Sequence, residues 1–287
     1  MGKVEIGSGF TYVDGEWHEG NPRVLGPKSH AVWLSSVVFD GARAFQGVAP
    51  DLDLHCARVV KSARILGLDP KITGPEIEQL AWRGIGKFPK GAELYIAPMF
   101  FAETGFIIPD SESTRFALSV SESPLPSPDG FSACLTRFRR PAPDMAPTEA
   151  KASCLYPNVA RAVAEAKGKG FDTGVVMDPY GNVAEFAYAN LFMVKDGVVH
   201  TPEANGTFLN GITRQRVISL LGDDGMKVAQ RAIAYEELSE AEELFATGNY
   251  FKVAPCTRID DRGLEPGPIF TKTRELYFNF ALGCHEG

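Results

Sequence analysis

A segment rich in proline and serine, residues 121–130, divides the chain into two parts that both alternate strand and helix patterns. The sequence Ser-Glu-Ser-Pro-Leu-Pro-Ser-Pro-Asp-Gly cannot continue a regular strand or helix, because proline lacks an amide hydrogen and has a fixed backbone angle. The 287 residues of the chain suffice for two domains with separate cores. We therefore predict an N-terminal domain over residues 1–122, a linker over 123–137 and a C-terminal domain over 138–287.

Strand and helix patterns follow one another in mixed order on both sides of this segment. The predicted strands cover residues 10–13, 92–102, 114–120, 131–138, 173–177 and 182–194. One predicted helix contains Arg58, and two others cover residues 76–84 and 159–169. The turn residues 178–181, Asp-Pro-Tyr-Gly, predict a hairpin between two of the later strands. This mixture favours the α+β class.

Two charged residues lie in sequence surroundings where a charge is costly to bury. Lys151 stands in Ala-Lys-Ala-Ser, and Glu185 interrupts the apolar strand pattern of residues 183–189. Pyridoxal 5'-phosphate would satisfy both, because its aldehyde takes an amine as a Schiff base and its protonated ring nitrogen pairs with a carboxylate. Taken separately, Lys151 also fits a solvated loop and Glu185 an edge strand that faces water.

Two glycine turns offer backbone amides to a phosphate. Gly211-Ile212-Thr213 precedes an apolar helical stripe, and the amides, dipole and Thr213 hydroxyl at such a helix opening suit a dianion. An ordinary helix N-cap is the alternative. The second turn, Thr247-Gly248-Asn249-Tyr250, has amides for a phosphate or for a substrate carboxylate.

With these residues the chain resembles the class IV aminotransferases, a group of pyridoxal phosphate enzymes that includes branched-chain aminotransferases, D-amino acid aminotransferases and aminodeoxychorismate lyases. The matching stretches lie in family order over nearly the whole chain. They are Val38-Phe39-Asp40-Gly41-Ala42-Arg43, His55-Cys56-Ala57-Arg58, Ala150-Lys151-Ala152 with Tyr156, Glu185 with Asn190-Leu191-Phe192, Leu209 to Arg214, and Thr247-Gly248. The resemblance implies the two-domain fold type IV of D-amino acid aminotransferase, with a smaller N-terminal α/β domain and a larger C-terminal domain of mixed sheets or a barrel.

The resemblance also implies roles for individual residues. Lys151 would be the catalytic Schiff-base lysine, Tyr156 would donate a hydrogen bond to the ring oxygen of the cofactor, and Glu185 would pair with its ring nitrogen. Leu209 would pack on the ring face. The positions that match the phosphate-holding residues are Arg58, Ile212, Thr213, Gly248 and Asn249.

Some positions depart from the family pattern and leave the amino donor open. Branched-chain enzymes commonly have an arginine where this chain has Ala97, and that arginine is taken to receive the side-chain carboxylate of glutamate. Asn249 stands where a threonine is usual beside the phosphate.

Aromatic and basic residues near these motifs are candidates for the substrate pocket, since a guanidinium binds a carboxylate through two hydrogen bonds. Each also fits a plain core position, a solvated loop or a surface ion pair. The candidates are Phe39, Arg43, Tyr95, Arg139 and Tyr250.

Composition excludes several other classes of function. The net charge, 29 basic minus 36 acidic residues or −7, provides no basic surface for nucleic acid or for an anionic membrane. The five cysteines are odd in number and lack paired metal spacing, so we expect no metal site and a reducing compartment. The N-terminus has no apolar signal-peptide core, and no apolar run is long enough to cross a bilayer. The chain is therefore predicted to be cytoplasmic.

The resemblance implies ping-pong transamination between a branched-chain or other apolar amino acid and a 2-oxo acid, carried out by a homodimer. The apolar stretch of residues 105–109, Gly-Phe-Ile-Ile-Pro, would close the active site of the neighbouring subunit or pack on its own domain. Three alternatives remain open from the sequence: an (R)-selective amine or D-amino acid transaminase, a lyase of the aminodeoxychorismate type, and a module that binds a phosphate ligand without catalysis.

Overall fold

The computed structural model describes residues 9–283, so Cys284 and the N-terminal residues on which the signal-peptide prediction rests lie outside the described part. The chain forms two compact units. Within the described residues, unit 1 contains residues 9–125 together with Ala150–Cys154, and unit 2 contains Pro126–Glu149 and residues 155–283.

Unit 1 is built on an antiparallel sheet. Its strands are β1 (Phe10–Val13), β2 (Glu16–Glu19), β3 (Val37–Phe39), β4 (Ala42–Ala44), β5 (Leu94–Ala102) and β6 (Thr114–Glu122). Their order is β2-β1-β6-β5-β3, with β4 also pairing with β5. The helices of this unit are α1 (His30–Leu34), α2 (Leu52–Ile65) and α3 (Gly74–Ile85), and Ser111–Ser113 form a 3₁₀ turn.

One face of this sheet forms a core with α2 and α3. Alternation along β5 directs Leu94, Ile96 and Phe100 into a cluster with the buried residues Val59 of α2 and Ile77 of α3. A capping box starts α3, because the Thr73 hydroxyl accepts from the Glu76 amide while the Glu76 carboxylate accepts from the Thr73 amide.

The segment Ala150–Cys154 belongs to unit 1 because its alanines enter that core. Ala150 and Ala152 are 1% and 0% exposed, and Ala152 forms an isolated bridge with Val38. The residue between them, Lys151, is therefore held by buried neighbours on both sides.

Unit 2 is built on a mixed sheet. Its strands are β7 (Phe131–Arg139), β8 (Thr173–Met177), β9 (Val183–Phe186), β10 (Asn190–Lys195), β11 (Val198–Pro202), β12 (Val228–Arg231), β13 (Glu243–Gly248), β14 (Lys252–Ile259) and β15 (Arg262–Gly263). Their order is β12-β11-β10-β13-β14-β7-β8-β9, with β15 on β14. The pairs β11/β12, β7/β14 and β7/β8 are parallel and the others antiparallel.

Helices of unit 2 connect or cover these strands. They are α4 (Tyr156–Gly168), α5 (Ile212–Asp223) and α6 (Pro268–Gly283). Tyr235–Glu240 form a 3₁₀ helix, and a short 3₁₀ turn, Ser153–Leu155, begins in unit 1 and leads into α4. The predicted α+β class is confirmed by this combination of helices with an antiparallel and a mixed sheet. Within residues 9–283, no helix is both long enough and apolar enough to cross a bilayer.

Two local differences from the sequence-based prediction concern the strands of unit 2. The predicted linker, residues 123–137, includes most of β7, which pairs with β8 and β14. The continuous strand predicted over residues 182–194 is wrong, because a turn at Ala187–Ala189 separates β9 from β10. Small apolar residues fit a turn as well as a buried strand, so the apolar pattern did not reveal this break.

Candidate active site

Lys151 is fixed in unit 1 through its own backbone. Its amide donates to the Ser62 hydroxyl on α2 at 3.1 Å, and its carbonyl accepts from the Phe39 amide at the end of β3, also at 3.1 Å. The Lys151 ammonium lies 4.7 Å from the centroid of the Phe39 ring, within the range of a cation–π contact. The backbone is thus anchored by hydrogen bonds while the amine rests on an aromatic face.

Three substrate candidates share one face of the unit 1 sheet. Phe39 pairs with Met99 and Arg43 pairs with Tyr95, and side chains of directly paired residues point to the same face. Alternation along β5 places Ala97 on that face too, opposite the face that packs on α2 and α3.

Arg43 is buried and tied to backbone. Its Nη1 donates to the carbonyl of Ser123 at 2.6 Å and its Nη2 to the carbonyl of Pro124 at 3.1 Å. The side chain is 1% exposed, so these bonds hold the guanidinium against the chain segment that leaves β6.

Arg58 on α2 is clamped by a carboxylate that sequence reasoning did not single out. Its Nε donates to Oδ2 of Asp40 at 2.6 Å and its Nη2 to Oδ1 at 2.8 Å, which is the two-pronged geometry of a strong guanidinium–carboxylate pair. Nδ1 of His55 lies 2.6 Å from Oδ1 of Asp40, and the Gly41 amide donates to the same oxygen at 2.7 Å. Asp40 is 0% exposed and thus fully enclosed by these donors.

The ionised state of Asp40 is strongly favoured. Burial raises the pKa of this carboxyl, but the Arg58 guanidinium and His55 outweigh burial and hold the pKa well below its usual range. A carboxyl with a lowered pKa stabilises the fold at pH values above its unfolded-state pKa, and this contribution is lost as the pH falls.

We expect Asp40→Asn to lower the stability of the protein near neutral pH by about 3 kcal/mol, because it leaves a largely buried guanidinium without its anion. The difference in Tm between wild type and variant should narrow as the pH falls below about 4, where the unfolded chain takes up a proton that folded Asp40 does not. Thermal unfolding at several pH values measures this difference. Glu78→Gln, on the same unit, is the control. A Tm difference that stays constant from pH 7 to pH 3 would argue against an ionised Asp40.

Glu185 of β9 lies at a buried ion pair in unit 2. Its side chain is 5% exposed, and Oε1 lies 2.6 Å from Nη2 of Arg140, whose side chain is 14% exposed. Oε2 accepts from Nδ2 of Asn190 at 3.2 Å, and the same amide nitrogen donates to the Leu209 carbonyl at 3.1 Å. Arg140 thus supplies the cation that a buried glutamate needs, and Asn190 connects this carboxylate to the segment before α5.

Helix α5 opens at the glycine turn, as the sequence predicts. Gly211 is the N-cap residue, and it has no side chain that could cap the helix amides. Ile212 and Thr213 are the first two helical residues, and both are buried. A Cβ on Gly211 would lie 2.1 Å from Oδ1 of Asn190, so only glycine fits at this approach. Leu209 is half-buried just before the turn. The first amides of α5 therefore lie beside the Asn190 bridge to Glu185.

Arg214, the last residue of the matching stretch Leu209 to Arg214, stabilises the fold of unit 2. It is 1% exposed, and burial lowers its pKa to about 10, which leaves it protonated at neutral pH. Its guanidinium donates to the neutral acceptors Thr201 Oγ1, Pro202 O, Asn210 Oδ1 and Gln230 Oε1. These bonds fasten the first turn of α5 to β11 and β12.

The second glycine turn joins β13 to β14. Gly248 pairs with Lys252, and residues 249–251 form the loop between them. The Thr247 hydroxyl and Nδ2 of Asn249 are buried and have no hydrogen-bond partner among residues 9–283. Two buried polar groups of this kind fit a ligand that carries several acceptor oxygens, such as a phosphate.

The remaining candidates of unit 2 lie at its surface or half-buried. Tyr156 is the first residue of α4 and is half-buried. Arg139 is exposed, and its Nη1 donates to the Asp178 carbonyl at 3.0 Å. Tyr250 is 38% exposed in the turn between β13 and β14. Within residues 9–283, no group of three or more histidine, cysteine, aspartate or glutamate residues could hold a metal ion.

Sequence reasoning gave no positioning role to five residues that hold the candidates in place, three of which stand in the matching stretches. They are Asp40, His55, Ser62, Arg140 as the partner of Glu185, and Asn190. A signal existed for Ser62, which is a polar residue inside the apolar stripe of α2. Asp40 and Arg140 meet their partners Arg58 and Glu185 from separate parts of the sequence, which local patterns do not reveal, whereas Asn190 lies five residues from Glu185.

Comparison with known proteins identifies the family to which the chain belongs. Residues 37–259 match the family model for amino-transferase class IV. An aminotransferase from Brucella abortus, solved bound to the co-factor PLP, is 50% identical with a TM-score of 0.94, over 95% of this chain and 99% of that one. A branched-chain aminotransferase from Thermoproteus uzoniensis, solved with norvaline, is 30% identical with a TM-score of 0.90, over 98% of this chain and 97% of that one.

A relative found by sequence comparison is also an aminotransferase. The branched-chain-amino-acid aminotransferase of Pseudomonas aeruginosa is 30% identical over 97% of this chain and 94% of its own length. The chain therefore belongs to the class IV aminotransferases and is an aminotransferase that depends on pyridoxal phosphate.

Proposed function

We propose that this enzyme transfers the amino group of a branched-chain or other apolar amino acid to a 2-oxo acid, with Lys151 as its catalytic residue. The relatives support the substrate class, since the Pseudomonas protein is a branched-chain-amino-acid aminotransferase and the Thermoproteus structure contains norvaline, an apolar amino acid. The observation that carries the role of Lys151 is its backbone anchoring between α2 and β3 with the ammonium 4.7 Å from the Phe39 ring.

Pyridoxal phosphate supplies an aldehyde that bonds to amines and a ring that accepts electrons from the substrate α-carbon. Lys151 holds the aldehyde between reactions, and its Nζ then moves a proton to and from the α-carbon. Because the Lys151 backbone is fixed by Ser62 and Phe39, the side chain swings about a constant point.

Unit 2 supplies the residues that orient the cofactor ring in this proposal. Glu185 pairs with the ring nitrogen and keeps it protonated, and Arg140 places its guanidinium 2.6 Å from the same carboxylate. Tyr156 donates to the ring oxygen, and Leu209, which Asn190 holds through its carbonyl, packs on the ring face.

The phosphate is bound by charge and by helix amides. Arg58 brings a guanidinium held by Asp40, and the amides at Ile212 and Thr213 open α5. Gly248 and Asn249 add the turn between β13 and β14, where the orphaned Thr247 hydroxyl and Asn249 amide support a site for acceptor oxygens.

The substrate side chain lies against Phe39, Tyr95 and Tyr250, and the substrate carboxylate is received by Arg43 or Arg139. Support comes from the common sheet face of Phe39, Tyr95 and Ala97 in unit 1. Ala97 presents an uncharged methyl group on this face, which favours apolar donors over acidic ones.

A donor and acceptor panel tests the substrate class. We expect leucine, valine and norvaline to exceed glutamate in kcat/KM by at least about tenfold, because a charged hydrogen bond to the glutamate side chain is missing. Ala97→Arg should raise kcat/KM for glutamate, while Ala97→Met, similar in length but uncharged, should not. Glutamate as the best donor of the wild type would contradict the proposal.

The same panel separates the alternatives. Both enantiomers of each amino acid and of a simple aryl amine are included, so exclusive use of an (R)-amine or a D-amino acid would identify the alternative transaminase. Pyruvate released without an acceptor would identify a lyase. Membership in an enzyme family removes the alternative of a phosphate-binding module without catalysis.

We further propose a homodimer that works in the cytoplasm. Phe106, Ile107 and Ile108 are 86%, 70% and 79% exposed, which supports their burial by a second subunit. Cys56, Cys134, Cys154 and Cys256 are free thiols, which supports a reducing compartment.

A further inference from the structure

Lys252 has two energetically unfavourable features, a fully buried side chain and a left-handed backbone conformation. It is 0% exposed although lysine is among the residues least often buried, and its φ of 65° lies in the left-handed region that favours glycine or asparagine. It stands at the start of β14, where it closes the hairpin by pairing with Gly248. A buried lysine held there despite this strain indicates that its side chain has a role.

The Lys252 ammonium fixes the direction of the Asn249 side chain. Its Nζ donates to Oδ1 of Asn249 at 2.8 Å. An ammonium group has three donors and no acceptor, so it requires the amide oxygen on its own side. The amide nitrogen of Asn249 must then point away from Lys252, and this nitrogen is buried without a hydrogen-bond partner in the described part of the chain.

The neighbouring Thr247 hydroxyl has the same property, being buried and unpartnered within residues 9–283. Gly248 lies between these two groups, and a Cβ there would lie 3.5 Å from the Ala189 Cβ. The turn therefore presents an oriented amide donor and a hydroxyl together with a buried positive charge. This combination matches the oxygens of a dianionic phosphate.

We propose that Lys252 is a positioning residue for the phosphate of pyridoxal phosphate: it orients Asn249 so that Nδ2 donates to a phosphate oxygen, and it adds positive charge behind that contact. The proposal rests on the proposed function, in which Asn249 borders the phosphate. It accounts for the departure of Asn249 from the threonine that the family resemblance implies at this position. A threonine hydroxyl rotates to suit its acceptor, whereas an amide must be turned the right way.

The test compares pyridoxal phosphate with pyridoxal, which lacks the phosphate. Dissociation constants of both are measured by absorbance titration of the full-length protein after its cofactor has been removed. For Lys252→Met we expect the constant for pyridoxal phosphate to rise at least about tenfold, the usual size of a lost charge-assisted hydrogen bond, and that for pyridoxal to stay within about twofold. Lys252→Gln, whose amide can donate to Asn249 without a charge, should lie between wild type and Lys252→Met. Lys227→Met, at an exposed lysine of the same unit, is the control.

A double variant shows whether Lys252 acts through Asn249. Lys252→Met should weaken binding of pyridoxal phosphate much less in an Asn249→Ala background than in wild type. Equal losses for both ligands, or fully additive losses in the double variant, would overturn the proposal and leave Lys252 with a structural role. Wild type binding pyridoxal as tightly as pyridoxal phosphate would instead contradict the proposed phosphate site itself.

Discussion

Lys151→Ala is expected to lower transamination by more than about 10³-fold while leaving the protein folded, because it removes the amine that bonds the cofactor and moves the proton. The contacts that hold this segment remain in the variant. The Lys151 amide and carbonyl bond to Ser62 and Phe39 through backbone atoms, and Ala150 and Ala152 stay in the core. The contact between the ammonium and the Phe39 ring is lost.

Steady-state kinetics measures the loss of transamination, and circular dichroism measures whether the variant is folded. Lys61→Ala, at an exposed lysine on α2 of the same unit, should retain wild-type kinetics. Turnover by the Lys151 variant within about tenfold of wild type would refute the assignment of the catalytic lysine.

Glu185→Gln is expected to lower the rate by about 10²-fold or more with only a modest change in cofactor retention. Glutamine keeps an oxygen for the Asn190 amide but has no charge to keep the ring nitrogen protonated. It also leaves Arg140 without its anion, so some stability should be lost.

The Arg140 pair allows the electronic effect to be separated from the structural one. Adding Arg140→Met to Glu185→Gln removes the orphaned cation and should recover part of the lost Tm, while the rate should stay low. Glu242→Gln, at an exposed residue in unit 2, is the matched control. Near wild-type kinetics in Glu185→Gln would exclude its role at the ring nitrogen, and recovery of the rate in the double variant would assign the loss to stability alone.

The sequence predicted the elements whose signals are local. Strand alternation located β5 and β6, the turn at residues 178–181 located the hairpin of β8 and β9, and Gly211 located the start of α5. The α+β class followed from the mixed order of these elements. The resemblance to the class IV aminotransferases supplied the family, which the family model confirms over residues 37–259.

What the sequence could not predict depends on contacts between distant segments. The burial of Glu185 suggested a missing cation, but Arg140 comes from the end of β7, and only the sheet brings the two together. Asp40 directly follows β3 and Arg58 lies on α2, so their hydrogen bonds join two elements that are separated in the sequence. Lys252 has no sequence signal at all, since its burial and its positive φ belong to the folded hairpin.

Reduction with borohydride tests most directly that a B6 cofactor is bound at Lys151. The purified protein should be yellow, and reduction should bleach it and fix one phosphopyridoxyl group on the peptide that contains Lys151, as read by mass spectrometry. The Lys151→Ala variant should carry no such label. Labelling of a different lysine in wild type, or none in a protein saturated with pyridoxal phosphate, would contradict the proposed active site.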